Sequence, residues 1–95
     1  MPHKVLTKCG HPKIREGMYY VYIISLSNGQ YYIGKTADLR KRIKEHTNGE
    51  ERTTRRFLPC RLVTYVAFSK KILADKFERY LKTGSGFVFR NKHLV

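Results

Sequence analysis

The sequence predicts an α+β domain with a small three-stranded antiparallel sheet, in the order β-hairpin, helix, strand, helix, covered by helices on one face. Two observations predict this fold class. Residues 19–25 and 60–68 are rich in the β-branched and aromatic residues that favour strands. The apolar residues of 39–47 and 69–82 recur at the spacing of a helix. Ninety-five residues are enough for one domain only.

The hairpin is predicted from residues 19–33. The first strand, 19–25, is apolar or aromatic at almost every position, so we expect it to be buried on both sides or nearly so. Asn28-Gly29 accepts positive φ at both central positions of a type I′ turn, which predicts a tight connection to a second strand at 30–33.

A helix of about three turns is predicted after this hairpin. Leu39 and Ile43 lie four residues apart and form its apolar stripe. Thr36 or Asp38 is expected to cap its amino end, and Asn48-Gly49 to close its carboxyl end. Residues 50–59 are polar and end in proline, which indicates a loop.

The second helix is predicted to begin at a Ser69 cap and to run through about Lys82. Its core face is expected to comprise four residues at helical spacing, Leu73, Phe77, Tyr80 and Leu81. Residues 83–86, Thr-Gly-Ser-Gly, are expected to stop the helix. The tail, 87–95, is compatible with a short helix or with an extended closing segment.

Charge is the strongest compositional signal, since 20 Lys and Arg oppose 7 Asp and Glu and give a net charge of +13. A field of this size attracts polyanions, so we expect a nucleic acid rather than an acidic protein or a membrane as the partner. Residues 1–17 are interpreted as a basic, loosely ordered arm that either touches nucleic acid or simply frays, and 18–95 as the folded domain. No apolar run is long enough to cross a bilayer or to form a secretory signal, which predicts a cytoplasmic protein.

The two cysteines do not indicate a disulfide framework. Cys9-Gly10-His11 resembles half of a metal site, but no second Cys/His cluster completes four ligands, which argues against structural zinc. Cys60 opens an apolar strand and is expected in the core.

The few carboxylates are informative by position. Relative to the stripe of the second helix, Glu78 lies about 100° from the centre and therefore at the edge of the buried face. Asp75 lies further round and is expected to face solvent, as is Glu45 on the first helix. So few acids argue against a two-metal nuclease, whereas one divalent ion on Glu78 is feasible. The alternative for Glu78 is an ordinary salt bridge.

Arg42 and His46 share a face of the first helix because they are four residues apart. Arginine can grip a phosphate with two N–H groups and stabilise transition-state charge, and histidine can exchange a proton near pH 7. The alternative is a solvated helix face.

Tyr22 and Tyr32 are expected side by side across the hairpin. They either serve the core or, with Lys35 nearby to lower a phenol pKa, act as a base toward water.

These residues resemble the GIY-YIG nuclease superfamily. Residues 20–22 (Tyr-Val-Tyr), nine further residues and then 32–36 (Tyr-Ile-Gly-Lys-Thr) are similar to the name motif and its continuation. Residues 38–49 are similar to the family's first helix, and Glu78 with Leu81-Lys82 to its acidic helix. Tyr20 stands where the motif has its first glycine. The closest resemblance is to the standalone, single-domain branch, which is related to the amino-terminal nuclease domain of the excision-repair C subunit.

The resemblance implies an endonuclease that hydrolyses phosphodiester bonds in DNA, with one Mg²⁺ or Mn²⁺ ion and a link to DNA repair or recombination. It implies that Glu78 holds the metal and that Arg42 stabilises the phosphoryl charge. Tyr22 helps to deprotonate water, with Tyr32 as the other phenol that could do so, and Lys35 tunes the phenol.

Further residues enter through the same resemblance or through charge. His46 assists at the site, and Asn91 lies near the position of a family asparagine, although the Gly-Ser-Gly insert leaves its register open. The basic residues expected to contact nucleic acid are Lys35, Arg40, Lys41, Arg52, Arg55 and Arg56. For the three loop arginines, the alternative is a solvated surface.

Two other functions remain open from the sequence. One is a nucleic-acid-binding module that keeps the fold without efficient cutting. The other is a basic RNA- or ribosome-associated protein. The small size of the domain favours recognition of DNA structure, such as branches, flaps or single strands, over base sequence.

Overall fold

The computed structural model describes residues 17–95, so the arm expected at 1–17 lies outside the described residues except for Gly17. The α+β fold class is confirmed: the described chain has three antiparallel strands and three α-helices. A 3₁₀ turn at Arg55–Phe57 interrupts the loop before the third strand. The elements in chain order are β1 Tyr19–Ser25, β2 Tyr31–Thr36, α1 Leu39–Thr47, β3 Arg61–Phe68, α2 Lys71–Leu81 and α3 Gly84–His93.

The strand order is β2-β1-β3, which makes β1 the central strand and β2 an edge strand. Tyr22 of β1 lies opposite Gly34 of β2 and opposite Tyr65 of β3. A register shift between Ile23 and Ile24 marks a bulge against β3. This register determines which side chains share a face of the sheet.

Helices cover both faces of the sheet, so the expectation that they cover one face is wrong. On one face, Tyr20, Tyr22 and Ile24 of β1 pack with Leu39 of α1. On the other, the intervening residues of β1 pack with α2 and α3; this cluster includes Val21, Ile23, Val66, Phe68, Ala74 and Leu81. The physical reason is visible in β1, whose side chains are apolar at both parities and therefore need a cover on each side.

The hairpin forms as expected, but its turn differs from type I′. Gly29 has φ +86°, whereas no non-glycine residue among those described has a positive φ, so Asn28 does not adopt the second left-handed position. The Gly29 N–H donates to Leu26 O at 3.0 Å, and the Leu26 N–H donates to Gln30 O at 2.9 Å. A turn followed by one left-handed glycine is the longer hairpin solution.

The ends of α1 are as the sequence predicts. The Asp38 side chain accepts a hydrogen bond from the Lys41 N–H, and Asn48 is the carboxyl cap. Gly49 follows with φ +76°, the left-handed conformation that commonly terminates a helix.

The second helix begins later than expected, and its buried face is rotated. Lys70, not Ser69, is its amino cap, and no side chain forms a capping hydrogen bond. Ala74 and Leu81 are buried, whereas Leu73 and Tyr80 are 37% and 40% exposed. The small Ala74 side chain lets the helix approach the sheet, which places the contact line one position away from the larger leucine.

Residues 83–86 do stop α2 but also begin α3, an outcome that the glycines did not suggest. Thr83 is the amino cap, and its side chain accepts a hydrogen bond from the Gly86 N–H. A Cβ at Gly86 would lie 1.7 Å from the Tyr80 carbonyl oxygen, so the close contact between the two helices requires glycine. None of the helices described in 17–95 combines the length and the apolar composition that crossing a membrane requires.

Candidate active site on the two faces of the edge strand

Tyr22 lies at the centre of the first group of candidate residues. Its ring crosses the hairpin and covers Gly34, where an added Cβ would meet the phenol oxygen at 2.3 Å. Any larger residue at 34 would push the hydroxyl from its position. The glycine of the Tyr-Ile-Gly motif is therefore needed to let the phenol lie flat against β2.

A buried hydrogen-bond chain extends from this hydroxyl. Tyr22 Oη lies 2.9 Å from His46 Nε2, and His46 Nδ1 lies 2.8 Å from Thr54 Oγ1. Tyr22 is 1% exposed, and His46 and Thr54 are not exposed at all. This hydrogen-bond chain links β1, α1 and the loop before β3.

The proton positions in this chain follow from the donors around it. The Arg42 Nε–H donates to Tyr22 Oη at 3.3 Å, so a neutral phenol directs its own proton to His46 Nε2. His46 then carries its proton on Nδ1 and donates it to Thr54. Burial and, secondly, the neighbouring Arg42 charge lower the pKa of His46, which keeps the imidazole neutral at pH 7.

Arg42 joins this chain to two carboxylates. Its terminal nitrogens donate to Glu45 Oε1 at 2.9 Å and to Glu51 Oε2 at 2.6 Å. Burial lowers the pKa of Arg42, but the hydrogen bonds to Tyr22, Glu45 and Glu51 outweigh it and raise the pKa overall. The side chain keeps 30% of its surface exposed, so the guanidinium sits at the rim of the protein.

Glu45 is therefore an ion-pair partner of Arg42 and not the freely solvated residue that the sequence suggested. Glu51 receives further support from the loop, because the Thr53 N–H donates to its Oε1 at 3.1 Å. That backbone N–H and, after the opposing effect of burial, the Arg42 guanidinium lower the pKa of Glu51.

The pKa of Tyr22 moves in the direction opposite to the one expected. Burial raises it to about 12, and the hydrogen bond from Arg42 offsets only part of that effect. Removing the proton at pH 7 would cost about 7 kcal/mol. Tyr22 is consequently a neutral hydrogen-bond donor and acceptor in this structure.

Tyr32 lies beside Tyr22, on the same face of the hairpin. The two ring centroids are 6.4 Å apart, and the Tyr32 centroid is 5.1 Å from that of His46. Tyr32 is partly exposed, in contrast to the fully buried Tyr22. It is the phenol of the pair that solvent reaches.

The second group of candidate residues lies on the opposite face of β2. Lys35 pairs with Val21 in the register and points toward α2, away from Tyr22. Its Nζ donates to Asp75 Oδ1 and lies 3.8 Å from Glu78 Oε1. Lys35 is therefore a neighbour of the α2 carboxylates, and the expectation that it tunes the Tyr22 phenol is wrong.

Asp75 is also placed differently from the prediction. Its side chain is 23% exposed and bonds Lys35 and Lys71, which lower its pKa. Glu78 lies one turn later with 20% exposure, as expected for the edge of the helix face, and its Oε2 is 3.3 Å from Lys82 Nζ. Asp75 and Glu78 thus both approach the Lys35 ammonium group from α2.

The candidate residues Tyr22, Tyr32, Arg42, His46, Lys35 and Glu78 therefore fall into two groups, separated by the edge strand. Tyr22, Tyr32, Arg42 and His46 lie on one face of β2, and Lys35 and Glu78 on the other. A phosphate that contacts both groups has to lie at the open edge of β2.

The remaining candidates lie on the surface. Asn91 is exposed on α3, and its Oδ1 accepts hydrogen bonds from its neighbour Arg90. The candidate nucleic-acid contacts on α1 and on the following loop are exposed; they are Arg40, Lys41, Arg52, Arg55 and Arg56.

Sequence reasoning missed four residues of the two groups. Asp75 was detectable because it precedes Glu78 by three residues and shares its helix face. Glu45 was detectable by the same spacing from Arg42. Thr54 and Glu51 depend on the path of the loop, for which the sequence has no periodic signal.

Comparisons with known proteins identify the family of the chain. The family model described as the GIY-YIG catalytic domain matches residues 18–92. UPF0213 protein BH0048 of Halalkalibacterium halodurans is 40% identical over 65 residues, covering 67% of this chain and 69% of that protein. A UPF0213 protein of Streptococcus pneumoniae serotype 4 is 38% identical over 64 residues, covering 66% of this chain. The match spans 65% of the pneumococcal protein, slightly less than two thirds of its length.

Among solved structures, the solution NMR structure of UPF0213 protein BH0048 from Bacillus halodurans has a TM-score of 0.52 and 36% sequence identity. The superposition covers 79% of this chain and 81% of that one. With the family model spanning nearly all described residues, the chain belongs to the GIY-YIG catalytic-domain family, and its relatives include the small proteins named UPF0213.

Proposed function

We propose that the chain is a divalent-metal-dependent endonuclease that hydrolyses phosphodiester bonds in DNA. The observation that carries this proposal is the guanidinium of Arg42, held at the protein rim by a buried hydrogen-bond chain next to the open edge of β2. A pre-positioned guanidinium in a protein of charge +13 is suited to a phosphate whose negative charge increases during the reaction.

Arg42 binds the phosphate in this proposal. Tyr22, Glu45 and Glu51 occupy three of its five N–H groups in the free protein, so a phosphate uses the two remaining N–H groups or replaces a carboxylate. Tyr22 and His46 are positioning residues, because both are buried and act on the phosphate only through Arg42.

Tyr32 is the phenol that we assign to the attacking water. It is partly exposed, whereas Tyr22 is buried and has a pKa of about 12. The hydroxyl of Tyr32 orients the water at the edge of β2 and relays its proton, accepting it while the phenolic proton passes to solvent. The new P–O bond forms as the bond from phosphorus to the leaving oxygen breaks.

A divalent ion fits the carboxylates of α2. Asp75 and Glu78 already converge on one cation, the Lys35 ammonium, and carboxylate oxygens suit Mg²⁺ or Mn²⁺. The described residues contain no group of three or more potential protein ligands, so water and phosphate oxygens would complete the shell. The ion would polarise a phosphoryl oxygen.

Lys35 has a place in this scheme that differs from phenol tuning. If Asp75 and Glu78 held a divalent ion, the Lys35 ammonium would be freed from them and could contact the phosphate from the α2 side of β2. The exposed bases Arg40, Lys41, Arg52, Arg55 and Arg56 hold the flanking backbone.

A non-catalytic nucleic-acid-binding module is the second candidate, favoured by one specific observation. Each charged group of the two candidate-site groups is already paired within the chain: Lys35 with Asp75, Glu78 with Lys82, and Arg42 with Glu45 and Glu51. A domain that had lost cutting could retain these pairs as structural salt bridges.

Incubation with labelled single-stranded, duplex and branched DNA, with Mg²⁺, with Mn²⁺ or with chelator, tests the proposal. We expect cleavage with the metals only. Glu78→Gln should lower the rate at least 100-fold while DNA binding persists. Glu50→Gln is the matched control, because it makes the same chemical change at an exposed carboxylate whose side chain, within residues 17–95, accepts a hydrogen bond from Asn48.

Cleavage that survives chelation, or a Glu78→Gln variant as active as the control, would reject the assignment. DNA binding by the wild-type chain without cleavage under any of these conditions would favour the binding module.

A further inference from the structure

A three-layer stack of side chains joins α3 to the beginning of β2. The guanidinium carbon of Arg90 lies 4.6 Å from the Phe87 ring centroid and 5.0 Å from the Tyr31 ring centroid. Phe87 and Arg90 are on α3, and Tyr31 is the first residue of β2. We call Tyr31, Phe87 and Arg90 the Arg90 stack.

The aromatic side chains of this stack remain partly accessible to solvent. Phe87 is 53% exposed and Tyr31 is 37% exposed, although large aromatic residues normally bury most of their surface. The stack therefore leaves flat apolar surface available next to a cation.

The charge of the stack is available as well. Within 17–95 the Arg90 guanidinium donates hydrogen bonds to the neutral Asn91 amide oxygen, and no carboxylate forms an ion pair with it. Arg42 and Lys35, by contrast, are both neutralised by acids. A ligand that combines flat aromatic faces with negative charge complements this surface.

We propose that the Arg90 stack binds the unpaired bases of a single-stranded nucleic acid. Aromatic side chains stack on bases of any sequence, and arginine adds both a planar face and a phosphate contact. The proposal deepens the proposed function, on which it rests for the class of ligand, by naming the strand form that the site accepts.

The position of the stack on β2 relates it to the candidate active site. Tyr31 and Lys35 project from the same face of β2 and are four residues apart, a separation of roughly 13 Å along the strand. That is about four base steps at the 3.4 Å spacing of a stacked strand. A base on the stack would thus belong to an unpaired segment adjoining the phosphate near Lys35 and Glu78.

Binding titrations in chelator test this inference without cleavage. The probes are a 2-aminopurine-labelled single-stranded oligonucleotide and a duplex of the same sequence. Phe87→Leu and, independently, Tyr31→Leu keep an apolar side chain but remove the π face. Each should weaken single-strand binding roughly 5- to 150-fold and leave duplex binding within about 2-fold.

Salt dependence separates stacking from charge. Phe87→Leu should leave the slope of log K against log salt unchanged, whereas Arg90→Gln should reduce it by about 0.7 for a single strand. Val88→Ala, an equally exposed α3 substitution, is the matched control and should bind like the wild type. Thermal unfolding verifies that each variant is folded.

Unchanged single-strand affinity in both leucine variants would overturn the proposal. So would an equal loss for single strand and duplex, or a change in sedimentation mass that made the stack an interface between copies of the chain. Stack-dependent single-strand binding by a chain that cuts no DNA would reject the endonuclease and retain this inference. Metal-dependent cleavage with normal single-strand binding in the leucine variants would support the endonuclease and reject this inference.

Discussion

Two tyrosine hydroxyls are buried in the same half of the molecule, but they differ in their partners. Tyr22 Oη is bonded to His46 and Arg42. Tyr65 Oη has no hydrogen-bond partner within the described part of the chain, and burial raises its pKa. A buried hydroxyl stabilises a fold only when its hydrogen bonds are satisfied.

This difference predicts opposite effects of one chemical change. Tyr22→Phe should lower the free energy of unfolding by about 1 to 3 kcal/mol, because it leaves His46 and Arg42 with unsatisfied polar atoms. Tyr65→Phe, the matched control, should be neutral or stabilising. Urea denaturation measures both, and equal destabilisation of the two variants would contradict the hydrogen-bond chain described here.

Arg42 provides a second prediction at this scale, since Glu51 competes with phosphate for its guanidinium. Glu51→Gln should tighten DNA binding about 2- to 5-fold, the range expected for releasing a partly exposed ion pair. Glu50→Gln changes the net charge equally without touching Arg42 and should have a smaller effect. Fluorescence anisotropy at fixed salt compares them, and equal effects would indicate net charge alone.

Residue identity was predictable wherever a motif fixes spacing. Tyr22, Tyr32, Arg42 and His46 were all singled out from the sequence, and the structure brings them together on one face. Lys35 was assigned to the wrong neighbour because alternate strand residues point to opposite faces, and the motif gives position but not the partner across the sheet.

At the level of elements, α3 shows how capping can outweigh propensity. Residues 84–86 contain two glycines, which disfavour a helix interior. The Thr83 cap and the close contact of Gly86 with the Tyr80 carbonyl nevertheless start a helix there. The composition of residues 83–86 indicated only the end of α2, because the spacing of residues along the chain does not show that α3 packs on α2.

The two glycines should respond differently to alanine. Gly86→Ala should destabilise the protein by at least 2 kcal/mol, since its Cβ would overlap backbone atoms that cannot move aside. Gly84 has no atom within 4 Å of an added Cβ, so Gly84→Ala should stabilise by about 0.5 to 1 kcal/mol. Thermal unfolding tests the pair, and equal shifts in Tm would refute the contact at Gly86.

The face of α2 illustrates a different limit. Ranking apolar residues by size selected Leu73, whereas the small Ala74 is the buried residue. A close helix–sheet contact favours a small side chain, and this preference cannot be read from hydrophobicity alone. The predicted position of Glu78, at the edge of the buried face of α2, is nevertheless correct, because it did not depend on which residue lies at the centre of that face.

For the whole molecule, the buried neutral His46 predicts how stability varies with pH. Its pKa is lower in the folded protein than the ordinary 6.5, so below that value the unfolded chain binds the proton more readily. The free energy of unfolding should therefore fall as the pH is lowered below about 6.5, by at most about 1.4 kcal/mol per pH unit. Glu51 and Asp75, whose pKa values are also lowered, act in a separate window below about pH 4.

Denaturation at several pH values tests this dependence. His46→Gln should abolish the slope of the free energy of unfolding against pH just below pH 6.5, whatever its effect on stability at pH 7. His93→Gln, which alters an exposed histidine, should preserve the slope. Retention of the slope in the His46 variant would assign it to another group.

The overall architecture was predictable because three β-rich segments and two periodic ones leave few arrangements for a chain of this length. The number of covered faces was not, since it depends on where α2 and α3 return after β3. The uniformly apolar β1 was the one available indication that a single covered face would be insufficient.

The segment between α1 and β3 is anchored to two other elements. Glu51 and Thr54 bond α1, and the Phe57 carbonyl accepts from the Ser27 N–H of the hairpin. Within the segment, the Cys60 thiol reaches the Thr54 carbonyl. The exposed arginines of this segment, Arg52, Arg55 and Arg56, therefore lie on the same anchored segment as Glu51, which bonds the Arg42 guanidinium. A polyanion that bound these arginines and shifted the segment would therefore also shift Glu51, the partner of Arg42.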